Sequence, residues 1–254
     1  MPSAELFAFT CGQLTIPYGF LLEGAKGKIT VPVPSYLIVH PRGRVLFDSG
    51  LNLAVQNDAL AYMGERGMRG TAFHFAAGEE VAARLGTVAR EPESITHVVN
   101  SHLHYDHCGG NAQLPNADVL VQRREWEHAR ALPDDDAGYR KRDFDTGQRA
   151  RLLDGEHDLF GDGAVVCFPT YGHTPGHQSL RVRTAGGDFV LCGDACYLRE
   201  SLEKLALPGV LFDREAALAV LRRFRAMEAA GARVMVGHDP EFWKSVPQAP
   251  ARLG

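Results

Sequence analysis

Asn100-Ser-His-Leu-His-Tyr-Asp-His-Cys-Gly-Gly110 is the stretch of sequence that decides the fold of this chain. It places three histidines and an aspartate, His102, His104, Asp106 and His107, within six consecutive positions. Titratable side chains at this density, next to an apolar run, are costly to bury unless a cation or a hydrogen-bond network compensates them. The segment therefore predicts a metal site.

The spacing within this segment predicts two cations rather than one. In an extended chain, His102 and His104 project to the same side, because side chains alternate along a strand. Asp106 and His107 come after a turn and face a second position. The segment thus offers ligands to two adjacent metal ions.

Three more candidate ligands lie downstream, each after a strand-like run and before turn residues. The runs and ligands are Val165–Phe168 before His173, Phe189–Cys192 before Asp194, and Arg233–Val236 before His238. Seven side chains would give each metal three protein ligands, with Asp194 able to bridge, and leave a shared position for water or hydroxide. An open position is typical of a catalytic site, whereas structural zinc sites are closed.

Other polar residues carry weaker patterns. Five histidines are interpreted as ordinary surface or core residues, namely His40, His74, His97, His128 and His157. His177 follows the turn at Pro175-Gly176; it could donate to a ligand from behind, but a structural role is favoured. Asp48 has two open interpretations, orienting a metal ligand or capping the turn at Ser49.

Strands alternate with helices along the chain. Ser35–Val39 and Arg44–Phe47 are predicted to form a hairpin, and Thr96–Val99 a strand that runs into the ligand segment. One helix is predicted from Glu79 to Leu85, and another from a capping Asp213 to about Ala230. Ligands at strand ends in such an alternation predict an α/β (α+β) fold, an αββα sandwich of two mixed sheets with helices outside, as one domain over residues 1–254.

Two segments are harder to interpret. The polar residues 131–148 predict a surface excursion. Residues 51–77 mix Met63, Met68, Phe73 and Phe75 with glycines and charges, so the segment is either a lid over a pocket or ordinary packing.

Composition limits the function classes. The chain has 254 residues, is 45% hydrophobic and 23% charged, and carries a net charge of −4. Nucleic-acid binding is not expected, because it needs an excess of clustered Lys and Arg. The cluster of Arg222, Arg223 and Arg225 is interpreted as the solvated face of a helix.

Nothing in the sequence indicates a membrane or secreted protein. Apolar runs stay below the ~20 residues that span a bilayer, and the amino terminus lacks the basic and apolar regions of a signal peptide. The cytoplasm is therefore expected. Five cysteines, without Cys-x-x-Cys spacing, are expected to be free buried thiols.

The metal-ligand pattern carries a family resemblance. His-x-His-x-Asp-His, followed by a distant His, Asp and His, resembles the metallo-β-lactamase superfamily. Longer sequence motifs resemble those of the N-acyl homoserine lactonases, which open quorum-sensing signals. These motifs are Ser101–His107, Gly109–Asn111, Val121–Arg123, Gly172–Leu180, Gly193–Tyr197 and Gly237–Asp239. Two further motifs, Tyr139–Asp145 and Leu207–Gly209, resemble the branch that includes γ-butyrolactone hydrolases.

The resemblance implies a role for each ligand. One metal would be held by His102, His104 and His173, and the other by Asp106, His107 and His238, with Asp194 as the bridge. A bridging hydroxide would attack the lactone carbonyl, Tyr197 would contact the substrate, and Asp106 would shuttle the proton. Two divalent ions are implied; zinc is expected, and cobalt, iron or manganese also suit these ligands.

The resemblance also implies where the substrate lies and where this chain departs from the family. Tyr18, Leu21 and Leu22 would receive an acyl chain. Tyr105 stands where the lactonases often have Phe or Leu, and Cys108 where they often have Ala or Thr; this puts chain-length preference in question more than reaction type. The partner is then a small-molecule lactone, and the enzyme a monomer or homodimer.

Alternatives remain within and outside enzymes. The same centre could open γ-butyrolactone, 4-pyridoxolactone or a β-lactam, hydrolyse a thioester as glyoxalase II does, or cleave a phosphodiester as ribonuclease Z does. Tyr197 and the acidic net charge favour a neutral ester over a polyanion. The non-enzyme alternative is a metal-stabilised protein that binds a lactone without opening it.

Overall fold

Two mixed β-sheets face each other across the main core. The computed structural model describes residues 3–134, 136 and 138–254. The strands of the first sheet are β1 (Glu5–Pro17), β2 (Lys28–His40), β3 (Gly43–Phe47), β4 (Ala72–His74), β5 (His97–Val99), β6 (Asp118–Gln122) and β7 (Ala150–Leu153). Those of the second are β8 (His157–Asp158), β9 (Val165–Pro169), β10 (Gln178–Thr184), β11 (Gly187–Leu191) and β12 (Arg233–Met235). Across the sheets the orders are β4-β1-β2-β3-β5-β6-β7 and β12-β11-β10-β9-β8.

Helices cover the outer faces of both sheets or lie in the connections between strands. They are α1 (Tyr18–Leu21), α2 (Ala54–Gly67), α3 (Val81–Gly86), α4 (Tyr105–Cys108), α5 (Arg123–Ala131), α6 (Lys141–Phe144), α7 (Arg199–Lys204), α8 (Arg214–Ala229) and α9 (Pro240–Trp243). α3 packs on the first sheet and α8 on the second. The predicted αββα sandwich is confirmed. Within the described residues, no helix is both long and apolar enough to cross a membrane.

Strand residues alternate between the two faces of each sheet. Phe47 and Ile38 point into the core between the sheets, whereas their neighbours Leu46 and Leu37 pack under α3. This follows from the two-residue period of a strand. Each fully buried side chain of this kind contributes about 1.5–3 kcal/mol, so both faces stabilise the first sheet, whose strand β5 leads into residues 100–110.

The predicted hairpin and the predicted long helix are confirmed. β2 pairs antiparallel with β3, with Ile38 opposite Val45, although β2 begins earlier than expected. The side chain of Asp213 accepts a hydrogen bond from the amide of Ala216 at 3.0 Å and caps α8. The chain then continues into β12, which places His238 at the end of a strand.

Residues 131–148 are not simply the predicted surface excursion. Tyr139, Arg140, Asp143 and Phe144 are all buried. Two of their side chains find partners inside the protein: Arg140 donates to the carbonyl of Met63 at 2.6 Å, and Asp143 accepts from Asn52 and Tyr62. Sequence reasoning missed this, because those partners lie some 80 residues away along the chain. Residues 135 and 137 of the segment lie outside the described residues.

Residues 51–77 form a helix and an edge strand. α2 has non-helical backbone at Asp58 and Gly64, and β4 pairs antiparallel with β1. Tyr62 and Met63 are buried, and the Phe73 ring lies 5.8 Å from that of Tyr105. The segment therefore packs as a wall beside the ligand-bearing residues.

Candidate metal centre

The seven predicted ligands meet at the carboxyl ends of the strands. His102, His104, His173 and Asp194 form a first group, whose donor atoms all lie within 4.8 Å of one another. Asp106, His107 and His238 form a second group by the same measure. The one-turn helix α4 carries Asp106 and His107 of the second group, whereas His102 and His104 of the first group precede it. This division matches the two sets expected from the sequence.

Asp194 lies between the two groups. Its Oδ1 is 3.1 Å from Nε2 of His107 and 3.0 Å from Nε2 of His238. Its Oδ2 is 3.4 Å from Nε2 of His173 and 3.7 Å from Nε2 of His102. One carboxylate thus presents one oxygen to each group, which is the geometry of a bridging ligand.

Hydrogen bonds behind the second group fix its ring orientations. Nδ1 of His238 lies 2.7 Å from the carbonyl of Pro32, and a carbonyl only accepts, so Nδ1 carries the proton. Nδ1 of His107 lies 2.9 Å from Oδ2 of Asp48, and the other oxygen of this carboxylate, Oδ1, accepts from the amide of Ser101. In both histidines, Nε2 is left to face Asp194. Asp48 thus contacts the predicted ligand His107, as the first of its two interpretations requires.

His177 supports the backbone of Asp194. The amide of Asp194 donates to Nε2 of His177 at 3.1 Å, so the ring proton is on Nδ1. That proton reaches Thr170 Oγ1 at 2.8 Å, and the chain continues through Ser179 to the carbonyl of Cys192. Burial lowers the pKa of His177 to about 3, which keeps the ring neutral. The favoured structural role is consistent with these contacts.

The inward-facing atoms of the first group fit a cation. Nε2 of His102 lies 2.9 Å from Nδ1 of His104, and Nε2 of His173 lies 3.2 Å from both atoms. Burial holds the pKa of His102 and of His173 well below the usual value, so these rings are neutral. Their lone pairs converge at a distance at which a divalent ion would bind all three.

The second group and the bridge point to the same conclusion. Burial opposes a charge on His107, but the carboxylates of Asp194 and Asp106 outweigh it and raise its pKa well above the usual value. Oδ1 of Asp194 is buried without a hydrogen-bond partner among the described residues. Histidine nitrogens and carboxylate oxygens are ligands that zinc and related transition metals accept. The residues present fit two such ions.

Tyr197 lies at the edge of the first group. It follows the turn Gly193–Ala195, and its hydroxyl is 3.2 Å from Nδ1 of His173. Its ring centroid lies 5.8 Å from that of His238. Tyr18, Leu21, Leu22 and Tyr105 belong to the same apolar cluster as Tyr197. An apolar wall therefore adjoins the ligands.

The other histidines and the cysteines stay out of both groups. His40, for example, is buried and stacks on Phe160 at 4.2 Å. All five cysteines are free and buried, as expected. Cys108 donates to the carbonyl of His104 at 3.3 Å, and burial raises its pKa well above the usual value. It is therefore a packing residue rather than a reactive thiol.

Sequence reasoning missed Glu125, which lies on α5 directly behind the ligands. Its side chain is fully buried and accepts four hydrogen bonds, from the amides of Leu103 and Gly176 and the hydroxyls of Tyr139 and Thr174. One signal was available: Glu125 and the buried Ala129 are four residues apart and so share one helix face. A glutamate on an apolar face requires a partner.

Comparisons with known proteins identify the family of the chain. A family model described as the metallo-beta-lactamase superfamily matches residues 29–238. The N-acyl homoserine lactonase AttM of Azorhizobium caulinodans is 35% identical, over 90% of this chain and 89% of that protein. The N-acyl homoserine lactonase AiiA of Bacillus thuringiensis subsp. kurstaki is 29% identical, over 96% and 97%.

A solved structure extends the comparison to the whole fold. It is an N-acyl homoserine lactone hydrolase with the product N-hexanoyl-L-homoserine bound at its catalytic metal centre. The two chains are 27% identical and superpose with a TM-score of 0.89 over 100% of each. The chain belongs to the metallo-β-lactamase superfamily and, within it, to the N-acyl homoserine lactonase family.

Proposed function

We propose that this protein is a metal-dependent hydrolase that opens the lactone ring of N-acyl homoserine lactones. The observation that carries the proposal is Asp194, which presents one carboxylate oxygen to each of two histidine groups. Tyr197 beside them and the activity named for the relatives support a lactone as the substrate.

The proposed metal ligands are the seven side chains of the two groups. His102, His104 and His173 would hold one ion, Asp106, His107 and His238 the other, and Asp194 both. We propose zinc for both positions. When bound, the two ions supply an acidified water as nucleophile and Lewis-acid polarisation of the carbonyl.

The tautomer of His173 determines where the hydroxyl proton of Tyr197 points. If Nε2 of His173 is a ligand, its proton is on Nδ1 and is donated to the tyrosine oxygen 3.2 Å away. The phenol proton is then free to point into the site. It can donate to the oxyanion that develops on the lactone carbonyl, an interaction that strengthens in the transition state.

Asp106 is the proposed proton carrier. Its Oδ2 lies 3.7 Å from Nε2 of His107 and 3.8 Å from Nε2 of His238, at the edge of the second group. In that position the carboxylate can accept a proton from the attacking water and return it to the alkoxide that leaves as the ring opens. The ring oxygen then departs as an alcohol.

The acyl chain of the substrate would lie on the apolar wall beside Tyr197. Five residues of that wall are Tyr18, Leu21, Leu22, Phe73 and Tyr105. These side chains are apolar or aromatic, so contact with them favours an acyl chain over a charged group. A phosphodiester carries a negative charge, which contact with this apolar wall would not favour.

A substrate panel tests the proposal. Zinc-loaded protein would be given N-acyl homoserine lactones of several chain lengths, γ-butyrolactone, 4-pyridoxolactone, a glutathione thioester and a phosphodiester, with product masses recorded. We expect the highest kcat/KM for an N-acyl homoserine lactone, with addition of one water. A higher value for the thioester or phosphodiester, or binding of the lactone without ring opening, would reject it.

The proposal also covers the domain organisation, the cellular location and the assembly of the enzyme. We propose one catalytic domain over residues 1–254, because the two sheets share one core. We also propose a cytoplasmic location, with which five free buried thiols agree. The enzyme would act as a monomer or homodimer, without a nucleic-acid or membrane partner.

A further inference from the structure

Two buried carboxylates lie behind the proposed ligands: Asp48 contacts His107 of the second group, and Glu125 contacts the chain segments that carry the first group. Asp48 orients His107 in the second group. We propose that Glu125 is the corresponding positioning residue for the first group, and that it sets the cation affinity of that group alone. This inference rests on the metal centre proposed above.

All four acceptor positions of Glu125 are filled by donors. Oε1 accepts from the amide of Leu103 at 3.1 Å and from the hydroxyl of Tyr139 at 3.0 Å. Oε2 accepts from the hydroxyl of Thr174 at 2.7 Å and from the amide of Gly176 at 3.1 Å. The side chain is fully buried, so these bonds replace all of its hydration. The group needed here is an acceptor on both oxygens, which is a carboxylate.

The donors belong to the two chain segments that carry the first group. Leu103 lies between His102 and His104, and Thr174 directly follows His173. One carboxylate therefore connects two ligand-bearing segments that are about 70 residues apart in sequence. It fixes their separation, and with it the distances among the three histidine nitrogens.

Two further contacts support this role. The Tyr139 ring, whose hydroxyl is held by Glu125, lies edge-on to His104 at 4.5 Å. The segment after His173 passes so close to α5 that a Cβ at Gly176 would lie 2.1 Å from the amide nitrogen of Glu125. The glycine permits the approach that the hydrogen bonds require.

The second group is held by other contacts. His107 is oriented by Asp48 and His238 by the carbonyl of Pro32. None of the four donors to Glu125 is next to Asp106, His107 or His238 in the chain. Loss of the Glu125 carboxylate should therefore change one group and spare the other.

Glu125→Gln is the sharpest change. The amide keeps the size of the side chain but replaces one acceptor oxygen with an NH₂ donor. The hydroxyls of Tyr139 and Thr174 can rotate, whereas the backbone amides of Leu103 and Gly176 cannot. Whichever way the glutamine is turned, one of these amides faces a donor and is left unsatisfied.

Two single variants serve as backgrounds in which the zinc affinity of each ligand group can be measured separately. His238→Ala leaves the first group as the only complete one, and His173→Ala leaves the second. Zn²⁺ affinity is measured in each by competition with a chromophoric chelator. Adding Glu125→Gln to His238→Ala should weaken binding on the order of 10–100-fold, as expected for the loss of a ligand's hydrogen-bond partner. Adding it to His173→Ala should change the affinity by less than about twofold.

Glu127→Gln, at an exposed position on the same helix, is the matched control and should have no effect in either background.

The outcomes separate positioning from general stability. Equal weakening in both backgrounds, or none in His238→Ala, would overturn the assignment. Thr174→Val, which removes one donor while preserving shape, is the second variant in case Glu125→Gln does not fold. Thr174→Val should also weaken zinc binding in His238→Ala and not in His173→Ala, but by a smaller factor than Glu125→Gln. Equal loss of affinity in both backgrounds would contradict the assignment. Failure of the unmodified chain to bind two zinc ions would instead overturn the metal centre itself, and this assignment with it.

Discussion

The hydroxyl oxygen of Tyr197 lies 3.2 Å from Nδ1 of His173, the ring nitrogen that is not directed at Asp194. Ligation through Nε2 would make Nδ1 the donor of this hydrogen bond and Tyr197 its acceptor. The phenol proton is then available for a substrate oxygen. The contact thus connects the tautomer of a ligand to the donor capacity of a neighbouring side chain.

Tyr197→Phe should lower turnover while leaving the zinc content intact. Loss of a principal oxyanion donor costs about a hundredfold in rate, and the loss here should be smaller because the metals share the task. Metal analysis and kcat on one lactone check this. Tyr171→Phe, the same chemical change two residues before His173, is the control. An unchanged rate in Tyr197→Phe would remove this tyrosine from the mechanism.

Asp194→Asn should lose both metals and activity. The amide keeps the size of the side chain but removes the negative charge that lies within 3.0–3.1 Å of His107 and His238. Elemental analysis and turnover, with Asp188→Asn on β11 as a folding control, measure the effect. Retention of two metals at full rate would show that Asp194 is not the bridge.

Stability should depend on pH through Asp143. Burial raises its pKa from 3.8 to about 6, against the hydrogen bonds from Tyr62 and Asn52. The native state therefore holds this proton more tightly than the unfolded state, and the free energy of unfolding falls as pH rises from about 4 through 6. Between pH 5 and pH 8 the loss is on the order of 1 kcal/mol.

Asp143→Asn should remove this component. Urea unfolding of both proteins at pH 5 and pH 8, with chelator present, gives the comparison, since titration of the ligands then cancels. The wild type should lose stability relative to the variant as pH rises. A constant difference between the two proteins would show that Asp143 does not titrate as stated.

Lactones should be cleaved far better than β-lactams. An alkoxide leaving group needs less protonation than an amine, and Asp106 is the one acid that the proposed mechanism assigns to the leaving group. Parallel kcat/KM values for an N-acyl homoserine lactone and a penicillin decide the matter. Comparable values would contradict the proposed ester chemistry.

The sandwich and the convergence of the seven candidate side chains could be predicted from local sequence. His173, Asp194 and His238 each follow a short apolar strand and precede a turn, and parallel strands bring their carboxyl ends to one edge. The cap at Asp213 was equally local, because a side chain three residues before Ala216 can reach its amide. Such features depend only on neighbours within a few residues.

Glu125 and Asp143 could not be predicted in this way. Both lie in segments rich in charge, which is typical of a solvated surface. Each is buried because its partners arrive from distant parts of the chain: Thr174 is 49 residues from Glu125, and Tyr62 is 81 residues from Asp143. Burial of a polar group is a tertiary property, and a single sequence gives no local sign of the partner.

The most direct test of the central claim is the metal dependence of ring opening. Protein loaded with zinc would be given an N-acyl homoserine lactone in a pH-stat, with metal content measured on the same sample. We expect close to two zinc ions per chain, release of one proton per lactone opened, loss of both metal and turnover on chelation, and recovery of both on adding zinc. Ring opening that persists after both ions are removed, or full activity with a single bound ion, would contradict it.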